Sequence, residues 1–186
     1  MPASESKRLF FALWPEAGLA GRLEGVARAA QAVCGGRLVP RENLHLTLVF
    51  LGQVAVHRLE AVRAVAAAVS GEAFTLDIDR LGEWRRQGLV WAGCAAPPPP
   101  LTALVLALQA GLRGLGLKLE ARAYAAHVTL LRKTSQAGFD ELPRLQALSW
   151  PVSDFALVES QLAANGAAYR VIARWPLPGG RRPGPG

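Results

Sequence analysis

Apolar positions fall into blocks whose spacing changes along the chain. Arg8–Trp14 (RLFFALW) is almost continuously apolar and predicts a buried strand. Pro15 opens the next element, in the first-turn position that tolerates a missing N–H. Leu19, Leu23, Val26, Ala30 and Val33 then recur at steps of three and four, one face of a helix that Gly35 and Gly36 stop. Asn43–Leu51 (NLHLTLVFL) predicts a second strand, ended by Gly52, and a second helix carries the stripe Leu59, Val62, Ala66 and Val69. Phe74, Leu76 and Ile78 alternate with Thr75, Asp77 and Asp79, a half-buried strand. Leu89–Gly93 reads as its neighbour, across a turn that holds Trp84, Arg85 and Arg86. Pro97–Pro100 is a stiff lead into a third helix with Leu101, Val105, Leu108, Leu112 and Leu115 on one face, ended by Gly114 and Gly116. Ala126–Leu131, Phe155–Ser160 and Ala168–Trp175 are strands, the last two joined by a turn containing Asn165 and Gly166.

Helices do not alternate strictly with strands, and several strands are hairpin neighbours. The pattern favours an α+β domain with antiparallel or mixed sheets over a doubly wound parallel sheet. No glycine-rich loop follows a strand, which removes the Rossmann and P-loop readings. One domain is expected over residues 1–178, with a loose N-terminus and a disordered Gly/Pro/Arg tail (GGRRPGPG) over 179–186.

Composition narrows the partners. Of 186 residues, 51% are apolar, enough for a core, and 21 Lys and Arg against 14 acidic residues leave a net charge of +7. A basic chain suits an anionic partner such as RNA, a nucleotide or a membrane surface. Cys34 and Cys94 stand 60 residues apart without a C-x-x-C pair, so two buried free thiols are expected rather than a disulfide scaffold or a zinc ribbon. Pro15 and Glu16 interrupt the first apolar run before it can serve as a signal peptide. The apolar stretch near Leu101–Leu112 is shorter than the ~20 residues a membrane span needs. A soluble, cytoplasmic protein is expected, a monomer without an obligate protein partner.

The candidate chemistry lies in a repeat. His45-Leu46-Thr47-Leu48 and His127-Val128-Thr129-Leu130 stand 82 residues apart in a chain with three histidines and five threonines, a coincidence of roughly one in 500. Along a strand alternate side chains share a face. His45 and Thr47 therefore project together, with Leu44, Leu46, Leu48 and Phe50 toward the core, and His127 projects with Thr129. If the two strands lie side by side across a pseudo-twofold axis, two imidazoles and two hydroxyls meet in one cleft. Two histidines suit a general acid and a general base near neutral pH, and hydroxyls suit the non-bridging oxygens of a phosphate. Such a set can open a phosphodiester without a metal. A single histidine in an apolar strand is more often a satisfied core residue; the duplication reverses that reading for His45 and His127. His57, beside Arg58 and with no companion threonine, reads as a surface residue. A zinc site at the motifs is not expected.

These residues resemble the 2H phosphoesterase superfamily, named for its paired H-x-T motifs, and within it the RNA 2′,3′-cyclic phosphodiesterases, also called 2′-5′ RNA ligases. RLFFALWP, RENLHLTLVFLG, HVTLLRK and FALVESQLAANGAAYRVIARWPL carry the resemblance over nearly the whole chain. It implies a bilobal α+β fold, with two antiparallel sheets facing a central cleft and helices outside. It implies hydrolysis of an RNA terminal 2′,3′-cyclic phosphate to a 2′-phosphate without metal or cofactor, on RNA ends that include tRNA fragments, and a reverse 2′-5′ ligation. By motif, His45 is the proton donor to the departing 3′ oxygen, His127 the proton acceptor that activates water, and Thr47 and Thr129 hold phosphate oxygens. Arg132 occupies a position where the family also carries an arginine able to face phosphate. On a straight strand its odd offset from His127 would turn it away, so it reaches the phosphate only if the strand ends or twists after Leu131. Trp84, Trp91, Tyr124 and Phe11 are candidate base-stacking rings, and Arg41, Arg85, Arg86, Arg122 and Lys133 candidate contacts at the mouth. The competing readings are a 2H phosphoesterase for a small nucleotide such as an ADP-ribose cyclic phosphate, and a non-catalytic RNA-binding module.

Overall fold

The structure, a computed structural model, describes residues 5–121, 123–163 and 166–179. Arg122, Asn165 and the tail from residue 180 onward lie outside the described residues. Ten strands and three helices succeed one another in the order β1 (Ser6–Leu13), α1 (Ala17–Cys34), β2 (Arg37–Leu38), β3 (Leu46–Ala55), α2 (Leu59–Ala68), β4 (Phe74–Ile78), β5 (Arg80–Trp84), β6 (Leu89–Gly93), α3 (Pro99–Gly114), β7 (His127–Arg132), β8 (Leu148–Val152), β9 (Asp154–Ala163) and β10 (Gly166–Pro176). Short 3₁₀ turns fill several connections.

Strands β10-β9-β1-β3-β7-β6-β5 form one sheet in that spatial order, with β2 added to β7, and β4 pairs with β8 in a second, two-stranded sheet. Every pairing is antiparallel. The large sheet has two lobes, β10-β9-β1-β3 and β7-β6-β5, and one residue pair, Leu46 with Val128, joins them. The α+β architecture with antiparallel sheets is the one expected from the sequence.

The 82-residue offset between the histidine motifs extends beyond them. Strand–helix–strand β1-α1-β3 recurs as β6-α3-β7; α1 begins at Ala17 and α3 at Pro99, again 82 residues apart. In the sheet the order β1-β3-β7-β6 is symmetric about the Leu46–Val128 pair. That pair marks a local pseudo-twofold axis.

The helices bury one stripe each in a common core with the sheet. Helix α1 buries Leu19, Ala20, Leu23, Ala27, Ala30 and Cys34, so its face is turned slightly from the stripe expected. Val33 is 37% exposed, whereas Cys34 is buried and its thiol donates to the Gly138 carbonyl at 3.3 Å. Both cysteines are buried free thiols. Pro15 stands ahead of the Glu16 N-cap rather than in the first turn; Pro99 and Pro100 do occupy the first turn of α3. Among the described residues no helix is long and apolar enough to cross a membrane.

Two strand pairings differ from expectation. Leu89–Gly93 pairs with Arg80–Trp84, not with Phe74–Ile78, which pairs instead with Leu148–Val152. Trp84 thus ends a strand rather than sitting in a turn. The segment RLGEW carries no alternation, and its central Gly82 is fixed by packing: a Cβ there would overlap the Trp91 ring. Gly52 does not end β3. The strand continues to Ala55, and Gly52, with φ of 70°, accommodates an irregularity in its pairing with β1.

Candidate active site

The two motif strands meet at the lobe junction. One antiparallel step either way from the Leu46–Val128 pair sets His45 opposite Thr129 and Thr47 opposite His127. All four side chains line a single cleft of about 610 Å³, a volume suited to a nucleotide-sized ligand.

The backbone around each histidine repeats as well. His45 Nδ1 lies 2.7 Å from the Asn43 carbonyl oxygen, and His127 Nδ1 lies 2.7 Å from that of Ala125. A carbonyl only accepts, so in each ring Nδ1 carries hydrogen and donates. Nε2 is then the nitrogen through which each imidazole exchanges a proton. The same local bond, made to the residue two positions earlier, sets tautomer and ring orientation in both half-sites.

A bulge in each strand redirects the residues beyond the motif. In β3 the pairing with β1 skips Leu48, and in β7 the pairing with β6 skips Leu130. Leu48 and Val49 are consecutively buried, as are Leu130 and Leu131. Each bulge inverts the alternation, so Arg132 reappears on the face of His127 and Thr129 and lines the cleft. The strand irregularity the sequence required for Arg132 is therefore present, one residue earlier than anticipated. Phe50, 82 residues before Arg132, is its counterpart in the other half. It lines the cleft instead of pointing to the core as straight alternation predicts.

The two imidazoles have different surroundings. Trp14 stacks on His45 at 5.2 Å with a 9° interplanar angle, Phe10 lies at 4.9 Å, and Tyr169 meets it edge-on at 5.0 Å. Burial in this apolar cage pushes the His45 imidazole down to about 4. The bond to Asn43 opposes the shift, and positive charge on Arg132 and His127 adds to it. His127 instead packs edge-on against Trp84 at 4.5 Å, with Trp91 behind at 6.4 Å.

Among the ring candidates, Trp84 and Tyr124 line the cleft, Trp91 supports Trp84 and His127, and Phe11 is fully buried in the core on the opposite face of β1. Tyr124 is half-buried; burial pushes its phenol up, and its hydroxyl has no hydrogen-bond partner among the described residues. Arg122 is outside the described residues, and none of the other four cations expected at the mouth lines the cleft. Arg85 pairs with Glu83 and Asp140, Arg41 donates to the Ala17 carbonyl beside α1, and Arg86 and Lys133 do not line the cleft. Among the described residues the cleft arginines are Arg132 and Arg8. Residues that the motifs did not reveal are Arg8, Phe10, Trp14, Phe50 and Tyr169. Arg8 and Phe10 lie on β1, beside the first motif strand, Trp14 follows β1, Phe50 lies on β3 itself and Tyr169 on β10; the signal of β1 was hidden because a central strand buries both faces and reads as one apolar run. His57 is exposed and away from the cleft, as expected.

The chain is similar to proteins of known activity. It is 33% identical over 174 residues to the RNA 2′,3′-cyclic phosphodiesterase of Escherichia coli, an alignment covering 94% of this chain and 98% of that protein. The enzyme of the same name from Thermus thermophilus is 33% identical over 184 residues, covering 92% of this chain and 91% of that protein. The crystal structure of E. coli LigT complexed with 3′-AMP superposes with a TM-score of 0.84 at 31% identity, over 94% of this chain and 99% of that one. The family model for the 2′-5′ RNA ligase superfamily matches residues 15–163, and the chain belongs to that family.

Proposed function

We propose that this chain hydrolyses the 2′,3′-cyclic phosphate at an RNA end to a 2′-phosphomonoester, with His45 and His127 as the proton-transfer pair. The observation that carries this reading is the duplicated H-x-T constellation in one cleft, with both Nδ1 atoms fixed by equivalent backbone bonds. Displacement at phosphorus places attacking and leaving oxygens in line, on opposite sides. A pseudo-twofold site supplies one imidazole for each side. His127 Nε2 takes a proton from water as it attacks phosphorus; the P–O3′ bond breaks, and His45 Nε2–H protonates O3′. Thr47, Thr129 and Arg132 donate to the non-bridging oxygens, where charge accumulates. The product keeps phosphate on O2′. Replacing water by an RNA 5′-hydroxyl makes the same displacement a 2′-5′ ligation.

A bound phosphodiester brings negative charge beside Arg132 and His127 and opposes their effect on His45, favouring the protonated donor when substrate is present. The test is an oligonucleotide ending in a 2′,3′-cyclic phosphate, incubated in EDTA with wild type, His45→Ala and His127→Ala. Conversion to a 2′-phosphate is expected for wild type, with at least a ~10²-fold loss in each variant. Activity retained in both variants, a 3′-phosphate product, or loss in EDTA restored by zinc would each overturn the mechanism.

A further inference from the structure

Beyond the reacting centre, the floor of the N-terminal lobe changes from apolar to cationic. Three rows of residues cross the sheet on the cleft face. Nearest the junction, Ala156 of β9, Ala12 of β1 and Thr47 of β3 are in register. The next row is Val158, Phe10 and Phe50, and the third sets Ser160 beside Arg8, with Tyr169 of β10 opposite Ser160. Successive rows are about 6.8 Å apart along a strand. His45 lies against Phe10 in the middle row, and Arg8, Ser160 and Tyr169 line the same cleft.

The Arg8 guanidinium lies over the Phe50 ring at 5.0 Å. Phe50 is the counterpart of Arg132, so the positive charge missing from that position of the N-terminal half is returned from the adjacent strand. Arg8 has no carboxylate partner among the described residues, whereas its neighbour Lys7, on the other face, pairs with Glu159. An unpaired arginine held on an aromatic face, beside a hydroxyl and one apolar row from the catalytic histidine, is an anion subsite.

The geometry points to Arg8, with Ser160, as the subsite for the phosphodiester on the 5′ side of the terminal nucleotide, making this cleft selective for oligonucleotide ends over mononucleoside cyclic phosphates. The inference rests on the proposed function and extends it: the cyclic phosphate occupies the histidine–threonine row, the terminal nucleoside lies across Phe10 and Phe50, and the preceding phosphate meets Arg8.

The experiment compares kcat/KM for a mononucleoside 2′,3′-cyclic phosphate and for a dinucleotide with the same cyclic end. Wild type is expected to prefer the dinucleotide, and the preference ratio to fall about tenfold or more in Arg8→Ala, less in Arg8→Lys and further in Arg8→Glu. The slope of log(kcat/KM) against log[salt] on the dinucleotide should weaken by about 0.7 in Arg8→Ala, the value for one single-strand phosphate contact. An unchanged ratio, or equal loss on both substrates, overturns the subsite. Wild type inactive on both substrates overturns the proposed function instead; the subsite is then read from the Kd of the dinucleotide 2′-phosphate, which must weaken in Arg8→Ala for the inference to stand.

Discussion

His45 ties stability to pH in a way that can be measured without substrate. Its folded value is about 4 against an ordinary 6.5, so between these values the unfolded chain binds a proton that the folded chain refuses. Stability from this source is fully present above about pH 6.5 and is lost as pH falls toward 4. A separation of 2.5 pH units corresponds to about 3 kcal/mol at the acid limit, and to about 2 kcal/mol at pH 5. His45→Gln removes the titrating group while retaining a polar side chain. Urea unfolding of both proteins at pH 7.5 and pH 5, read by linear extrapolation, cancels the groups they share. Wild type should lose about 2 kcal/mol more than the variant between the two pH values. Parallel losses, or a His45 imidazole resonance in NMR with a midpoint near 6.5, would refute the idea that the aromatic cage holds this ring neutral. The same resonance should move its midpoint upward when a nucleoside 2′-phosphate binds, because the ligand's charge opposes that of Arg132 and His127.

Other expectations rest on single contacts. Arg132→Ala should lower kcat by about 10²–10³, the loss typical of a donor aimed at developing charge, with Arg132→Lys recovering part of it in the same assay. Thr47→Ala and Thr129→Ala should each cost about 10–100-fold in kcat/KM, as for a hydrogen bond to a charged group, and the serine variants should stay near wild type. Gly82→Ala places a methyl against the Trp91 ring and should cost about 1–3 kcal/mol, seen as a Tm lowered by about 2–4 °C per kcal/mol.

What the sequence reveals and what it hides divide along physical lines. The motif strands, the three helices and the glycines that stop α1 and α3 are local signals, set by spacing within one segment. The chemistry-bearing residues His45, Thr47, His127 and Thr129 were legible for the same reason, because a period of two assigns them a common face. Arg132 was legible only by resemblance: a bulge depends on the partner strand, and counting along β7 alone places this arginine on the wrong side. Phe50 was misplaced by the same count. The pairing of β4 with β8 joins segments about 70 residues apart and left no local trace. The His45 cage draws Phe10 and Trp14 from near β1 and Tyr169 from β10, elements that meet only in the folded sheet.

Duplication by itself makes two equivalent half-sites, yet the reaction needs two unlike ones. In the proposed mechanism one imidazole accepts a proton while the other donates, so identical surroundings would leave both rings competing for the same role. The common elements here are those both roles require: Nδ1 bonded to the carbonyl two residues back, a threonine on the same face, and a bulge that turns the next residue into the cleft. The differences lie in what the surrounding strands add. Phe10, Trp14 and Tyr169 enclose His45 in apolar surface, whereas His127 has Trp84 at its edge and Arg132 further along its own strand. Exchanging only the residues after the bulges, Phe50→Arg with Arg132→Phe, would carry positive charge to the opposite half and leave both motifs intact. If polarity comes from these flanking residues rather than from strand order, that double variant should shift the two imidazole midpoints relative to one another. Unchanged midpoints would place the polarity in the aromatic cage alone.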